Sequence, residues 1–539
     1  MKISGQIIDI HTRKIYPAQI TLRDRIIEKI VKIKSAPQRY ILPGLTDAHI
    51  HIESSMVTPG SFAKAAVSRG TTAVVSDPHE IANVLGIPGV RYMINDAARV
   101  PLKFYFGAPS CVPATTFESA GAIIDSSGIN ELMKLPEIKY LAEMMNFPGV
   151  IYSDPEVGRK IAIAKIYNKP IDGHAPGVRG ELLKSYVTAG ITTDHECTSI
   201  EEAREKISLG MKILIREGSA AKNLDDLKDL YRTDPGMIML CSDDLHPEML
   251  MKRHINKLAA KLISDRFDVF DVIRSCTINP ASHYGLETGL LKPGQPADFI
   301  IVDDYRSMNV IETWIDGKKV FSKEKVRFDY PGTDPVNNFN CSKIIIQDIR
   351  FAAESDRMRV IQAVDGNLST KEIIEKIKRG SLVEPDTKSD ILKIIVKDRY
   401  KDLAPAVGFI SGFGLKSGAF ASSVAHDSHN IICIGTNDID IVSAVNEVIS
   451  MSGGLAVANG GKINSLPLPV AGIMSGLPVD KVAHEYEKLS EIVKTNGCKM
   501  TAPFMTLSFM ALLVIPELKL SDRGLFDGNR FCHVPLFVD

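Results

Sequence analysis

Two histidines separated by a single residue are the first chemistry the chain offers. They lie in Asp47-Ala48-His49-Ile50-His51-Ile52-Glu53. On an extended strand, side chains two residues apart share a face. His49 and His51 can therefore present two imidazoles to one metal ion, and Glu53 shares that face if the strand continues. Further metal-ligating types stand where later apolar runs end. His174 lies in Asp172-Gly173-His174-Ala175-Pro176-Gly177, His195 in Thr192-Thr193-Asp194-His195-Glu196, and Asp243 in Ser242-Asp243-Asp244-Leu245-His246. Asp77 and His79, in Asp77-Pro78-His79-Glu80, are placed the same way. A lone histidine at such a place is more often a satisfied core or surface residue. His49, His51, His174, His195 and Asp243, each at the end of an expected strand, point to one shared centre. Imidazole and carboxylate donors suit zinc, iron or manganese.

Such residues converge only if the elements carrying them do. Strands are expected at 45–51, 72–76, 102–107, 139–144, 170–173, 190–194, 211–215 and 237–242. They recur about every 20–40 residues, as the strands of βα units closing into a barrel do. Helical spacing fills intervening stretches such as 61–69, 181–189 and 200–209. An open doubly wound sheet is the alternative, but a barrel brings all strand ends to one mouth. The fold class expected is α/β: a (β/α)₈ TIM-type barrel over 45–284. A small β-subdomain is built from both flanks, 1–44 and 285–330, with a hairpin across Asp316-Gly317. An additional α+β domain spans 340–539, after a polar linker at 332–342.

Composition narrows the class further. The balance of 64 Lys+Arg against 65 Asp+Glu provides no basic stripe for nucleic acid. Eight cysteines without a C-x-x-C pair read as reduced thiols, Cys197 and Cys241 among them. The opening Met1-Lys2-Ile3-Ser4-Gly5 lacks the apolar run of a signal peptide. The longest apolar stretch, near Phe504 to Ile515, falls short of the ~20 residues of a membrane span. A soluble cytoplasmic protein with no membrane partner is expected.

The His-x-His strand, the single histidines on two later strands and the late aspartate resemble the amidohydrolase superfamily. So do Leu42-Pro43-Gly44-Leu45-Thr46-Asp47 at the barrel entry and the returning segment 289–302. Within that superfamily the chain is most similar to the adenine deaminases. The similarity includes Asp77-Pro78-His79-Glu80, Leu141-Ala142-Glu143-Met144-Met145-Asn146, Gly173-His174-Ala175-Pro176-Gly177 and the long C-terminal domain. It implies hydrolytic deamination of adenine to hypoxanthine and ammonia, a reaction of purine salvage. It also implies two divalent ions, manganese or iron with zinc as an alternative, held by His49, His51, Glu143, His174, His195 and Asp243.

Many relatives bridge their metals with a carboxylated lysine at the end of strand four. Here Lys139 lies at the beginning of that strand, and the resemblance assigns Glu143 as the bridge. A helix start after the strand is the alternative for Glu143. Two ions would make water nucleophilic near neutral pH. Asp243 would ligate metal, accept the water's proton and deliver it to the leaving nitrogen. Addition to the purine costs aromaticity, so a ring nitrogen must gain a proton from a second acid. Glu53 is one candidate. Asp77 and His79 are the others, as a relay or as groups orienting the water, with a solvated loop end as the bland reading for all three.

Asp244 should point away from Asp243 along the strand. The ligand set is complete by Asp243, so the C-terminal domain is expected to shape the barrel mouth without supplying an essential metal ligand. Ala425-His426-Asp427-Ser428-His429-Asn430 reads best as a turn closed by local hydrogen bonds, with a further metal site or a cap on the mouth as alternatives. A homo-oligomer is expected. The competing activities are a cyclic-amide hydrolase of the hydantoinase or dihydroorotase kind, and a non-catalytic barrel protein. The missing strand-end lysine and the absence of an arginine after His51 weigh against the first. The intact ligand set weighs against the second.

Overall fold

The computed structural model describes residues 1–539 and has eight parallel strands where the sequence pattern expects them. They are β1 (Leu45–Ile50), β2 (Thr71–Ser76), β3 (Lys103–Ala108), β4 (Ile138–Met144), β5 (Ile171–Gly173), β6 (Thr193–Asp194), β7 (Lys212–Arg216) and β8 (Ile238–Cys241). Strands β1 to β5 form one run and β6 to β8 another. Two seams close the barrel. At one, the Thr192 amide donates to the Ile171 carbonyl (2.9 Å). At the other, the Asp243 amide donates to the His49 carbonyl (3.0 Å), and Ile50 bridges Asp243 in parallel. Ala48, Val75, Tyr105, Tyr140, Leu214 and Met239 belong to one buried cluster. Side chains from strands on opposite sides meet there only because the sheet is closed.

The strands are short and β-branched residues recur along them, as in Thr71-Thr72-Ala73-Val74-Val75. Branching at Cβ favours the pleated surface. Helices begin where Pro fixes the first turn, as in Pro59–Ser68, or where a side chain caps the first amides. Ser199 does so for Ile200–Ser208, accepting from the Glu202 amide. Pairing slips between Asp47 and Ile50 on β1, and between Leu141 and Met144 on β4. Such irregularities re-aim side chains next to active sites, and these two carry His49 and Glu143.

Strands from both ends of this region share an eight-stranded sheet. Lys2–Asp9, Lys14–Arg23, Ile26–Lys32 and Tyr40–Pro43 come from before the barrel. Phe299–Val302, Val310–Ile315, Lys318–Ser322 and Lys325–Val326 come from after it. The two groups join where Ile41 pairs Ile301 antiparallel. The turn at Asp316-Gly317 has φ of 48° and 71°, the doubly left-handed backbone of a tight hairpin that favours glycine at its second position.

Residues 332–342 carry no helix or strand and are strapped to the barrel. Arg99 donates to the Gly332 carbonyl (2.8 Å), and Tyr330 and Thr333 donate to Asp96. Beyond them, eight strands from Arg357–Gln362 to Lys462–Pro467, joined by Phe537–Val538, form a third large sheet. Helix Asp438–Ser450 covers one part of it. Helix Val479–Thr495 reaches the barrel, where the Tyr486 hydroxyl lies 2.7 Å from His246 Nδ1. No helix is long and apolar enough to cross a membrane.

Candidate metal centre

His49 stands at the end of β1 and His51 just beyond it, with their Nε2 atoms 3.2 Å apart. His51 Nδ1 lies 3.1 Å from the Asp77 carbonyl, which fixes the proton on Nδ1 and leaves the Nε2 lone pair facing inward. Glu143 is the penultimate residue of β4, not the start of a helix. Its carboxylate divides between two groups. Oε1 lies 3.3 Å from His51 Nε2, while Oε2 lies 2.7 Å from His174 Nδ1 and 3.2 Å from His195 Nε2. Asp243 follows β8 with φ of 57°, and its Oδ1 lies 3.2 Å from His51 Nε2 and 3.5 Å from His49 Nε2. The rings of His49 and His195 stack at 4.4 Å.

This donor set fits divalent ions. Ligands about 2.1 Å from one ion lie on the order of 3 Å from each other, the spacing seen here. Inward-facing imidazole lone pairs this close to one another and to carboxylate oxygens repel unless a cation or protons stand between them. The centre is buried, and only the His174 side chain, 20% exposed, opens it toward solvent. Burial works against charge throughout; it keeps His49 below its ordinary value, while at His195 and Glu143 the neighbours prevail. The Glu143 carboxylate pushes His195 up to about 9, and the imidazoles around Glu143 hold its carboxyl well below the usual range.

The other expected residues fall into a ring around this centre. His79 Nδ1 lies 3.1 Å from Asp77 Oδ2 and 3.5 Å from Glu143 Oε1. Asp77 and His79 are buried, so the solvated loop end does not hold for them. Glu53 needs a correction of place. The strand stops at Ile50, and Glu53 sits in a 3₁₀ turn, Ile52–Ser55. It is buried all the same, accepts from the Ile81 amide (3.3 Å), and leaves Oε2 unpartnered. Burial pushes its carboxyl up to about 7. Asp244 also departs from expectation. The left-handed backbone at Asp243 breaks the alternation, and Asp244 Oδ1 accepts from Ser54 (2.5 Å) beside the same centre.

Two features had no reading in the sequence. Arg216, the last residue of β7, donates to Asp243 Oδ2 (2.5 Å) and to both oxygens of Glu196 (2.6 and 2.8 Å). Its position at a strand end was the available signal. Glu80 meets the C-terminal segment: its Oε1 accepts from His426 Nδ1 (2.6 Å), and its Oε2 faces His429. The segment 425–430 does contain a local contact, the Ala425 amide on His429 Nδ1 (3.3 Å), but both rings are turned onto the barrel. A purely local turn is therefore corrected to an interdomain cluster. Cys197 and Cys241 are buried thiols beside Asp194 and the Ile215 carbonyl.

Comparison with known proteins agrees with this architecture. Residues 40–320 match the amidohydrolase family, and residues 367–532 match the adenine deaminase C-terminal domain. The chain is 49% identical to an adenine deaminase of Salinibacter ruber, covering 100% of this chain and 99% of that one. It is 48% identical to one of Methanosarcina mazei, over the whole of both chains. It is 50% identical to one of Sulfurovum sp., over 98% of each.

Proposed function

We infer, for a chain that belongs to the amidohydrolases and among them to the adenine deaminases, the hydrolytic deamination of adenine to hypoxanthine and ammonia. The observation that carries this reading is Glu143, whose two carboxylate oxygens face different sets of imidazoles. Lys139 does not compete for that role, since its ammonium lies over the Tyr105 ring. His49, His51, Glu143, His174, His195 and Asp243 would hold two divalent ions, manganese or iron by the family's chemistry, with zinc as the alternative. When bound, the ions supply a Lewis acid that makes water nucleophilic near neutral pH.

The chain's own residues then manage protons. Water adds to carbon 6 of the purine, the bond from carbon 6 to the exocyclic nitrogen breaks, and the oxygen stays on the ring. Asp243 accepts a proton from the attacking water and passes it to the departing amine. Arg216 on Oδ2 fixes the Asp243 carboxylate with Oδ1 toward His49 and His51. Glu53 is the acid for the ring nitrogen. With its carboxyl pushed up to about 7 it carries a proton near neutrality, and Oε2 has no competing partner. Asp77 holds His79, and His79 in turn faces Glu143, so this pair positions the bridging carboxylate.

The reading extends to three units, 1–44 with 285–330, 45–284 and 340–539, and to a cytoplasmic homo-oligomer. The near-neutral charge and the absence of a membrane-spanning helix support the setting. The decisive experiment incubates the manganese-loaded chain with adenine, adenosine, cytosine, hydantoin and dihydroorotate, following ammonia release and ring opening. Ammonia from adenine alone is expected. Ring opening of either cyclic amide without adenine turnover would replace this reading.

A further inference from the structure

The contact between the barrel and the C-terminal domain gathers a second set of metal-ligating atoms that the deamination reading leaves unused. His79, Glu80 and Asp427 offer one ligand atom each, all within 4.8 Å of one another, and all three residues are buried. His79 Nε2 lies 3.5 Å from Glu80 Oε1 and 3.9 Å from Asp427 Oδ1. The hydrogen bonds around these atoms assign their roles. His79 Nδ1 lies 3.1 Å from Asp77 Oδ2, so a proton held there leaves Nε2, turned onto two carboxylate oxygens, as the ring's ligating atom. His426 Nδ1 donates to Glu80 Oε1 (2.6 Å), which leaves that oxygen one further lone pair. Asp427 Oδ2 is buried without a hydrogen bond, while Glu80 Oε2 faces His429 Nε2.

Anionic oxygens brought together away from water repel, and a buried carboxylate oxygen left without a partner is costly. A cation among His79, Glu80 and Asp427 removes the conflict. The surroundings of His79 and Glu80 match those of ligands to an ion, whose outer atoms are held by a partner. Asp77 orients His79, while His426 and His429 flank Glu80. The ring of His426 is in turn held by stacking on Phe509 at 4.6 Å.

We propose that His79, Glu80 and Asp427 form a separate site for a divalent transition ion, which ties the barrel to the C-terminal domain. One imidazole and two carboxylates suit manganese, iron or zinc. Asp427 would make the C-terminal domain a source of metal ligands, contrary to the expectation from sequence. This site adjoins the one around Glu143, since His79 Nδ1 lies 3.5 Å from Glu143 Oε1, but it shares no ligand with it.

The test uses crystals of the full chain, stripped with a chelator and reloaded with manganese, with anomalous scattering recorded at the manganese edge. A peak among His79, Glu80 and Asp427, resolved from those beside Glu143, is expected. Glu80→Gln and Asp427→Asn should each remove that peak and one equivalent of manganese by elemental analysis, while the peaks beside Glu143 persist. Filled density at Glu143 with none in the cluster would overturn the proposal. So would a cluster peak that survives both substitutions. Absence of manganese from both places would overturn this proposal and, separately, the ligand set of the deaminase centre.

Discussion

Replacing Asp243 separates proton transfer from metal binding, provided that Arg216 is taken into account. The carboxylate works in two directions, with Oδ1 toward His49 and His51 and Oδ2 on the Arg216 guanidinium. An asparagine cannot do both. Arg216 is a donor, so the amide oxygen turns to it and the NH₂ group faces the imidazoles, where a metal requires an acceptor. Asp243→Asn alone should therefore lose metal as well as rate. Arg216→Gln supplies a side-chain oxygen that accepts from the amide and lets the Asn oxygen face the imidazoles. The double variant is expected to regain metal without regaining catalysis. General acid–base catalysis contributes about 10²–10⁴-fold, or about 2.7–5.4 kcal/mol of transition-state stabilisation. The double variant should be slower than Arg216→Gln by that factor. Initial rates of ammonia release from saturating adenine, with metal content measured on the same samples, provide the assay. A double variant that holds its full metal complement and turns over within tenfold of Arg216→Gln would refute the proton-transfer role of Asp243.

Three other substitutions test neighbouring parts of the argument. Glu143→Gln should lower manganese content by at least one equivalent, and unchanged stoichiometry would remove the bridge. Glu53→Gln cannot protonate the ring, so kcat should fall by about 10²–10⁴-fold at unchanged metal content; normal turnover would pass the acid's role to Asp77 and His79. Lys519 addresses stability. It is fully buried, donates to the Leu368 carbonyl, and is pushed down by burial from its ordinary 10.5 to about 7. Below pH 7 both folded and unfolded forms carry the charge and the folded state bears the whole penalty. Between about 7 and 10.5 the folded form loses its proton first, so the penalty fades as pH rises. Lys519→Met should thus stabilise the C-terminal domain at pH 6, by about 5 kcal/mol at most, and by less at pH 9. Denaturant unfolding at the two pH values measures this, and an advantage that does not shrink would contradict the assigned burial effect.

Much of the barrel and its centre was legible because the signals are local. Each strand is a short apolar run, and each candidate ligand stands at or just past the end of one. What escaped is what local pattern does not encode. Glu53 was read on a continuing strand, but the backbone turns after Ile50, and no period in the sequence announces that turn. Asp244 was expected to point away, yet the left-handed residue before it redirects its side chain. Arg216 lies one residue beyond the expected strand end, and a lone arginine there carries no spacing signal. The contact of Glu80 with His426 joins residues far apart in sequence. Only the docking of two domains brings them together, and neither residue's neighbours foretell the other.

The sheet assembled from both flanks of the barrel also dictates an order of events during synthesis. Lys2–Asp9, Lys14–Arg23 and Ile26–Lys32 can pair with one another as soon as they leave the ribosome, since their registers are local. Tyr40–Pro43 then adds alongside Lys2–Asp9, but its other edge waits for Phe299–Val302. Roughly 250 residues must be translated in the interval, on the order of ten seconds or more at about 5–20 residues per second. During that time Ile41 and Leu42, fully buried in the finished protein, border an unpaired strand edge. Completion of that sheet therefore marks the moment when the nascent barrel's entry and exit are locked together.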